Sequence, residues 1–155
     1  GNPNMALIML DSLDIEIRAE SDYARHKYDL LRIRLNDKAD ILPNSDFMIK
    51  SLISYFEKEG TTNEKQEVFF YAGSIYRDLQ DTPRALEYFF KSLDYAIACN
   101  ECDSIMLRNT YSNLNFLYYR VQNYNDAVAM ALKEYNICKN TNGDDILPLM
   151  HIGAS

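Results

Sequence analysis

Apolar residues recur at every third or fourth position through most of this 155-residue chain. This spacing places them on one face of an α-helix, whereas no stretch alternates apolar and polar residues for long enough to predict a β-strand. The chain is therefore predicted to be all-α. Three stripes near its beginning show the pattern: Ala6, Leu10 and Leu13; Tyr28, Leu31 and Leu35; and Met48, Leu52, Tyr55 and Phe56.

Helix start and stop signals divide the chain into eight predicted helical segments. Ser45 is expected to cap one of them, and Gly60 is expected to end it in a left-handed conformation. Thr61 and Glu64 have the spacing of a capping box, and Pro83 suits a first helical turn because its missing N–H needs no partner there. The segments are 4–13, 21–35, 45–60, 61–79, 82–98, 103–121, one that follows a break at 122–124 and ends near 139, and one that begins at 144. A loop is predicted at 36–44 and a polar turn at 140–143.

An internal repeat is the strongest feature of the sequence. A large, small, aromatic pattern on one helix precedes a small, large pattern on the next, at Phe69, Ala72, Gly73 and Tyr76, then Ala85, Phe89 and Ser92. A second copy lies 42 positions further on, at Tyr111, Leu114, Asn115 and Tyr118, then Ala127 and Ala131. The small residue at Gly73 would allow its helix to approach the next helix closely at Ala85, while Tyr76 and Phe89 would fill the space between hairpins. These positions are therefore interpreted as core. A unit of this kind must stack on its neighbours to bury its apolar face.

The pattern resembles the tetratricopeptide repeat (TPR), whose first helix carries an aromatic residue, Leu, Gly and Tyr, and whose second carries Ala, an aromatic residue and Ala. The second copy departs from it at Asn115, Ala131 and Glu134. The resemblance implies helical hairpins stacked in a right-handed superhelix. It divides one domain, 1–155, into a half repeat at 3–14, hairpins at 21–60, 61–99 and 103–140, and the start of a further repeat at 144–155, where Leu149, Ile152 and Gly153 match Phe69, Ala72 and Gly73. Both ends fall inside the pattern, so the chain is expected to be a fragment of a longer array.

The repeat interval exceeds the usual TPR interval of about 34 residues. Such long-helix repeats are common among bacterial sensory and regulatory proteins, and the opening at 2–7 and the stretch 76–79 look similar to one group of regulators. The TPR resemblance implies a non-enzymatic module that binds protein or peptide. Two alternatives stay open: the sensory domain of a membrane-associated transcriptional regulator whose DNA-binding part lies outside this chain, and self-association through exposed terminal repeats.

The same resemblance implies a concave binding groove, lined by first-helix residues that do not serve the core. Phe70, Phe116 and Tyr119 are expected to be partly exposed there, and aromatic and Arg residues are enriched at binding hot spots. The candidate groove residues are Phe70, Ser74, Arg77, Asn109, Asn113, Phe116, Tyr119 and Arg120, with Glu67, Asp78 and Ser112 beside them.

The amino-acid composition limits the kinds of partner that the chain is expected to bind. The chain has 16 Lys and Arg against 23 Asp and Glu, a net charge of −7, which argues against direct nucleic-acid binding by this fragment. A basic or neutral protein or peptide is the expected partner. No apolar run reaches about 18 residues, so no membrane segment is expected in this fragment. Since the chain opens at Gly1 and its first Met is Met5, the natural N-terminus is expected to be missing, and the compartment, cytoplasmic or periplasmic, is left open.

Candidate chemistry is sparse. Cys99 and Cys102 form a C-x-x-C, but neither zinc-ligand spacing nor a thioredoxin-like context accompanies it, so the two are interpreted as small hydrophobic residues near a helix end. His26 and His151 lack a nucleophile placed by a motif, and no glycine-rich phosphate loop is present. No catalytic residue, metal or cofactor is therefore predicted, and the chain is not expected to be an enzyme.

Overall fold

A computed structural model describes residues 1–142. Over this range the chain is all-α and contains no β-strand, as the spacing of apolar residues predicts. The helices are α1 (Pro3–Ser12), α2 (Asp14–Arg18), α3 (Asp22–Lys38), α4 (Phe47–Glu59), α5 (Thr62–Asp78), α6 (Thr82–Ile97), α7 (Ser104–Arg120) and α8 (Tyr124–Asn142).

Side-chain caps begin the helices that carry the repeat. At α5 the Thr61 N–H donates to Glu64 Oε2 (2.9 Å) and the Glu64 N–H donates to Thr61 Oγ1 (3.2 Å), which confirms the predicted capping box. Asp81 caps α6 with Pro83 in the first turn, and Asp103 caps α7. Local sequence therefore determines where these helices start.

Helices α5 and α6 form the most extensive pair, and α7 and α8 form the next. Their contacts show that α5 and α6 run antiparallel, because residues late in α5 meet residues early in α6. The Tyr76 ring stacks on Tyr88 with centroids 5.4 Å apart, while the Ser92 hydroxyl donates to the carbonyl oxygen of Gln66 (2.8 Å). Gly73 lies between these points, and a Cβ atom added to it would come within 2.7 Å of the Phe89 ring. A small residue is thus needed at Gly73, but the side chain that lies against it is Phe89 and not the predicted Ala85.

The odd-numbered helices α3, α5 and α7 share one kind of ending. Each is followed by a non-glycine residue with positive φ: Asp40 (57°), Gln80 (64°) and Gln122 (61°). In each case the next N–H donates to a carbonyl five residues back, Ile41 to Asn36, Asp81 to Tyr76 and Asn123 to Tyr118, at 2.8–2.9 Å. This is the hydrogen-bond pattern of a Schellman motif. The repeat is therefore present in the backbone as well as in the sequence, and it extends back to α3.

The hydrophobic core lies among α3 to α7 and is centred on α5, where Val68, Phe69, Ala72 and Tyr76 are buried together. From α4 it takes Ile49, Leu52, Ile53 and Phe56, and from α6 it takes Ala85, Phe89 and Leu93. Because α3, α4, α6 and α7 all pack around α5, nearly its whole circumference is buried between Val68 and Tyr76.

Several predicted boundaries are wrong. Helix α3 continues to Lys38, so the predicted loop at 36–44 is shorter, and α8 continues to Asn142 through the predicted polar turn. Asp46, not Ser45, precedes α4, and Gly60 adopts an extended conformation (φ −78°, ψ 149°) rather than a left-handed one. Eight helices are described, but they include the short α2, which was not predicted; the predicted segment from 144, with Leu149, His151, Ile152 and Gly153, lies outside the described residues.

The predicted stripes of the first three segments are only partly correct. Tyr28 is buried, but Leu31 is exposed and α3 instead buries Leu30 and Ile33. In the same way Leu10 is buried in α1 while Leu13 is exposed, and Met48 is exposed while Leu52 and Phe56 of α4 are buried. The stripes in these segments contain more apolar residues than one face can hold, so spacing alone does not identify the buried face.

Candidate functional site

Helices α3, α5 and α7 lie side by side, and their side chains connect across the helices. Arg77 on α5 donates through Nη1 to Asn113 Oδ1 on α7 (2.5 Å), and its Nη2 lies 3.7 Å from Asp37 Oδ1 on α3. At the end of the same helices, Arg120 Nη2 donates to Gln80 Oε1 (2.5 Å). These contacts define a continuous surface, here called the odd-helix face, which carries Asp37, Glu67, Arg77, Asn113, Phe116 and Arg120.

An exposed aromatic ring stands on this face. Phe116 is 45% exposed, and the guanidinium carbon of Arg120 lies 5.6 Å from its ring centroid. A cation over an aromatic face is attracted by the ring quadrupole, so Arg120 holds the ring on one side and leaves the rest accessible. The pair gives the odd-helix face both an apolar contact surface and hydrogen-bond donors.

Two predicted groove residues are not available on the surface. Phe70 is only 7% exposed, and its ring packs edge-to-face against Phe89 with centroids 5.7 Å apart. Ser74 is buried as well, against a small cavity beside α3. The expectation that Phe70 is partly exposed is wrong, because α5 is enclosed by its neighbours and has little surface left for a groove.

The remaining predicted residues separate into two groups. Arg77, Asn109, Asn113, Phe116 and Arg120 fall on the odd-helix face, where the Asn113 amide also donates to the carbonyl oxygen of Asn109 (2.8 Å). Tyr119 instead packs against Tyr124 at the start of α8, with ring centroids 5.5 Å apart. Its ring therefore helps to join α7 to α8.

Two contact residues of the odd-helix face were not predicted from sequence. The sequence predicts a loop at Asp37, whereas α3 continues to Lys38, and it predicts a break between two helices at Gln80. The Schellman motif places Gln80 at the end of α5, within reach of Arg120. No sequence motif marks either residue, because each contact joins residues 40 positions apart in the chain.

Two carboxyl groups on this face are partly deprived of water. Burial raises the pKa of Asp37 above its ordinary value, and the charge of Arg77 offsets only part of that effect. Burial likewise raises the pKa of Glu67, against smaller opposite effects of Lys27 and Arg34. Both groups would bind a proton or a cation more readily than a carboxylate in water.

Replacing Glu67 by Gln is expected to raise the melting temperature at pH 7. The pKa of Glu67 is higher in the folded protein than in the unfolded chain. At a pH above the folded-state pKa the ionised carboxylate therefore destabilises the folded protein, and at a pH below the unfolded-state pKa this effect is absent. The difference between variant and wild type should therefore shrink as the pH falls to about 4. Thermal unfolding followed by circular dichroism at several pH values measures this. Glu57→Gln, at an exposed position on α4, is the control; an equal or lower melting temperature for Glu67→Gln at pH 7 would contradict the assignment.

The C-x-x-C is paired in the structure, which corrects its interpretation as two separate small hydrophobic residues. Cys99 and Cys102 form a disulfide in the connection between α6 and α7, with Cα atoms 5.5 Å apart, inside the normal range. Cys138 is a free, buried thiol. His26 stacks on Tyr55 with ring centroids 3.8 Å apart, so its ring packs against an aromatic neighbour.

Within 1–142, no three His, Cys, Asp or Glu side chains are grouped so as to hold a metal ion. Of the eight helices described, none combines the length and apolar character needed to cross a membrane. The odd-helix face can form hydrogen bonds, apolar contacts and charge interactions with a ligand.

No protein-family model, curated protein or solved structure matches the chain.

Proposed function

We propose that this chain is a non-enzymatic protein- or peptide-binding module of TPR type. In this proposal α3–α4, α5–α6 and α7–α8 are successive hairpins of a right-handed superhelix, and the odd-helix face is its concave surface. The repeated Schellman motif after α3, α5 and α7 supports this division, because equivalent helices of a repeat array end in equivalent ways.

The exposed Phe116 beside Arg120 is the observation that carries the proposal. Aromatic and Arg residues dominate the energetics of protein interfaces, and a ring held in place by its neighbours loses little entropy on binding. Arg77 and Asn113 are likewise held by contacts between helices before any ligand arrives. The face is thus pre-organised to receive an extended segment.

Charge indicates the kind of partner. The chain has a net charge of −7, and Asp37 and Glu67 add half-buried carboxylates to the face. An acidic surface attracts basic or neutral peptides and repels the phosphate backbone of nucleic acids. We therefore favour a peptide ligand in which an aromatic or aliphatic residue contacts Phe116 and a basic residue lies nearby.

Selection from a displayed library of random peptides tests the proposal directly. Peptides enriched on the wild-type chain would be synthesised, and their dissociation constants would be measured by fluorescence polarisation. We expect Phe116→Ala to weaken these peptides by at least about tenfold, as loss of a hot-spot aromatic does. Arg120→Ala should weaken peptide binding less, because it removes the cation that holds the Phe116 ring in place but leaves the ring itself.

Phe47→Ala is the matched control, because it deletes the same side chain from an 82% exposed position at the start of α4. Its affinity should equal that of the wild type. If the selected peptides bind Phe116→Ala as tightly as the wild type, or if no peptide is enriched at all, the proposed function is wrong.

A further inference from the structure

A cavity of about 60 Å³ opens on the odd-helix face between the end of α3, the connection to α4 and the middle of α5. A cavity of roughly 10–15 Å³ is enough for one buried water, so this cavity holds a few water-sized groups. That is enough for one unbranched side chain and too little for a drug-sized ligand. Its lining consists of Ile33, Asn36, Asp37, Ile41, Leu42, Pro43, Tyr71, Ser74, Ile75 and Asp78.

Aliphatic side chains form the walls of the cavity. Ile33 and Ile75 close its inner side and are buried in the core. Ile41 and Leu42 line it from the connection between α3 and α4, and they are 47% and 72% exposed. Two neighbouring aliphatic residues left in water beside a cavity provide a surface on which the methylene groups of a ligand can be buried.

An unpartnered polar side chain, that of Tyr71, lines the same cavity. Tyr71 is 4% exposed, and its hydroxyl makes no hydrogen bond to another residue within 1–142. Burial raises the pKa of this hydroxyl, so it is neutral at pH 7 and keeps a lone pair that can accept a hydrogen bond. A ligand that supplies a donor to this hydroxyl would gain a hydrogen bond inside the cavity.

At the acidic end of the cavity, two carboxylates share a single positively charged partner. One guanidinium, that of Arg77, serves two carboxylates: its Nε donates to Asp78 Oδ1 (2.8 Å), and its Nη2 lies 3.7 Å from Asp37 Oδ1. The Asp78 contact is a close hydrogen bond, whereas the Asp37 contact is long. A second cation placed beside Asp37 would therefore be stabilised.

We propose that this cavity binds the side chain of a lysine in a peptide ligand. The methylene stem lies against Ile75 and Leu42, and the ammonium group donates to the Asp37 carboxylate and the Tyr71 hydroxyl. The compact ammonium suits the small volume, whereas the planar guanidinium of arginine is wider and needs a larger opening. This inference rests on the proposed function, because it names the ligand chemistry of the same odd-helix face.

Nuclear magnetic resonance titration with Nα-acetyl-lysine N-methylamide tests the cavity without a selected peptide. We expect amide shifts concentrated at residues 33–43 and 71–78, with millimolar affinity. The Nα-acetyl-norleucine N-methylamide probe, which keeps the stem and lacks the ammonium, should bind at least about fivefold more weakly. Equal shifts with both probes, or shifts spread over the whole acidic surface, would overturn the inference.

Two conservative variants remove the proposed contacts while keeping side-chain volume. Asp37→Asn and Tyr71→Phe should each weaken the lysine probe by about threefold or more. Asp94→Asn, at an exposed position on α6, and Tyr118→Phe, on α7, make the same chemical changes outside the cavity and should leave the affinity unchanged. Unaltered binding to both Asp37→Asn and Tyr71→Phe would assign the probe to another place.

The two proposals fail in different ways. If selected peptides depend on Phe116 but the lysine probe does not bind in the cavity, the lysine assignment is wrong and the proposed function stands. If the probe binds in the cavity but no peptide is ever enriched, the proposed function is wrong, and so is the assignment of the cavity to a peptide's lysine. Enrichment of lysine in peptides selected on the wild type, and its loss on Asp37→Asn, would support both.

Discussion

Phe89→Ala is expected to lower the free energy of unfolding by about 3–5 kcal/mol, the range for removal of a buried aromatic ring. Phe89 on α6 is fully buried, with its ring over Gly73 of α5 and edge-to-face with Phe70. The two helices meet around this ring, so its loss leaves a cavity at the centre of the core. Urea unfolding followed by circular dichroism measures the change.

Two further variants control this result. Phe47→Ala, at an exposed position, should change the free energy of unfolding by less than about 0.5 kcal/mol. Gly73→Ala should destabilise the wild type, because its Cβ would lie 2.7 Å from the Phe89 ring, and should cost much less in the Phe89→Ala background. Wild-type stability of Phe89→Ala, or additive effects of the two changes, would show that α5 and α6 do not pack in this register.

The second large effect is expected at Gln66. Its replacement by Ala should lower the free energy of unfolding by about 2–4 kcal/mol. The buried Gln66 side chain on α5 donates through Nε2 to the Asp103 carbonyl oxygen (3.0 Å) and accepts from the Asp103 N–H at Oε1 (3.1 Å). Asp103 is the N-cap of α7, so one amide group fastens the start of α7 to α5. Its removal leaves two backbone groups without partners.

Chemical denaturation gives the magnitude of this effect, and hydrogen exchange gives its location. Amide exchange should accelerate mainly in the first turn of α7, whereas the middle of α5 should change less. Gln66→Glu keeps the acceptor but removes the donor and should be destabilising too, while Asn140→Ala on the exposed side of α8 removes a similar amide without effect. A Gln66→Ala protein as stable as the wild type would contradict the anchoring role.

The parts of the fold that the sequence predicts correctly are those that depend on local chemistry. The capping box at Thr61 and Glu64 satisfies its own N–H groups within one turn, so no distant residue is needed to start α5. Asp81 and Asp103 start α6 and α7 in a similar way. The sequence also identifies Gly73 as a position that must be small, although it pairs this residue with Ala85 and only the structure shows Phe89 against it.

The errors occur where several packing arrangements satisfy the same spacing. Leu30, Leu31 and Ile33 are all apolar, and contact with neighbouring helices decides that Leu31 stays exposed. The register of Phe70 in its helix predicts a place in the groove, but the four helices around α5 bury it. In the same way the sequence contains Asp37, Tyr71 and Leu42 without any sign that they line one cavity.

The sequence by itself therefore determined that the chain is helical, where most of its helices begin and which residues repeat, because caps, turns and apolar spacing act over a few residues. Only the tertiary structure decided which apolar face is buried, which aromatic residue remains exposed and which charged groups meet on the odd-helix face. Those outcomes depend on the relative positions of α3, α5 and α7. The residues that set those positions, such as Gln66 and Asp103 or Arg77 and Asn113, are more than 30 positions apart in the chain.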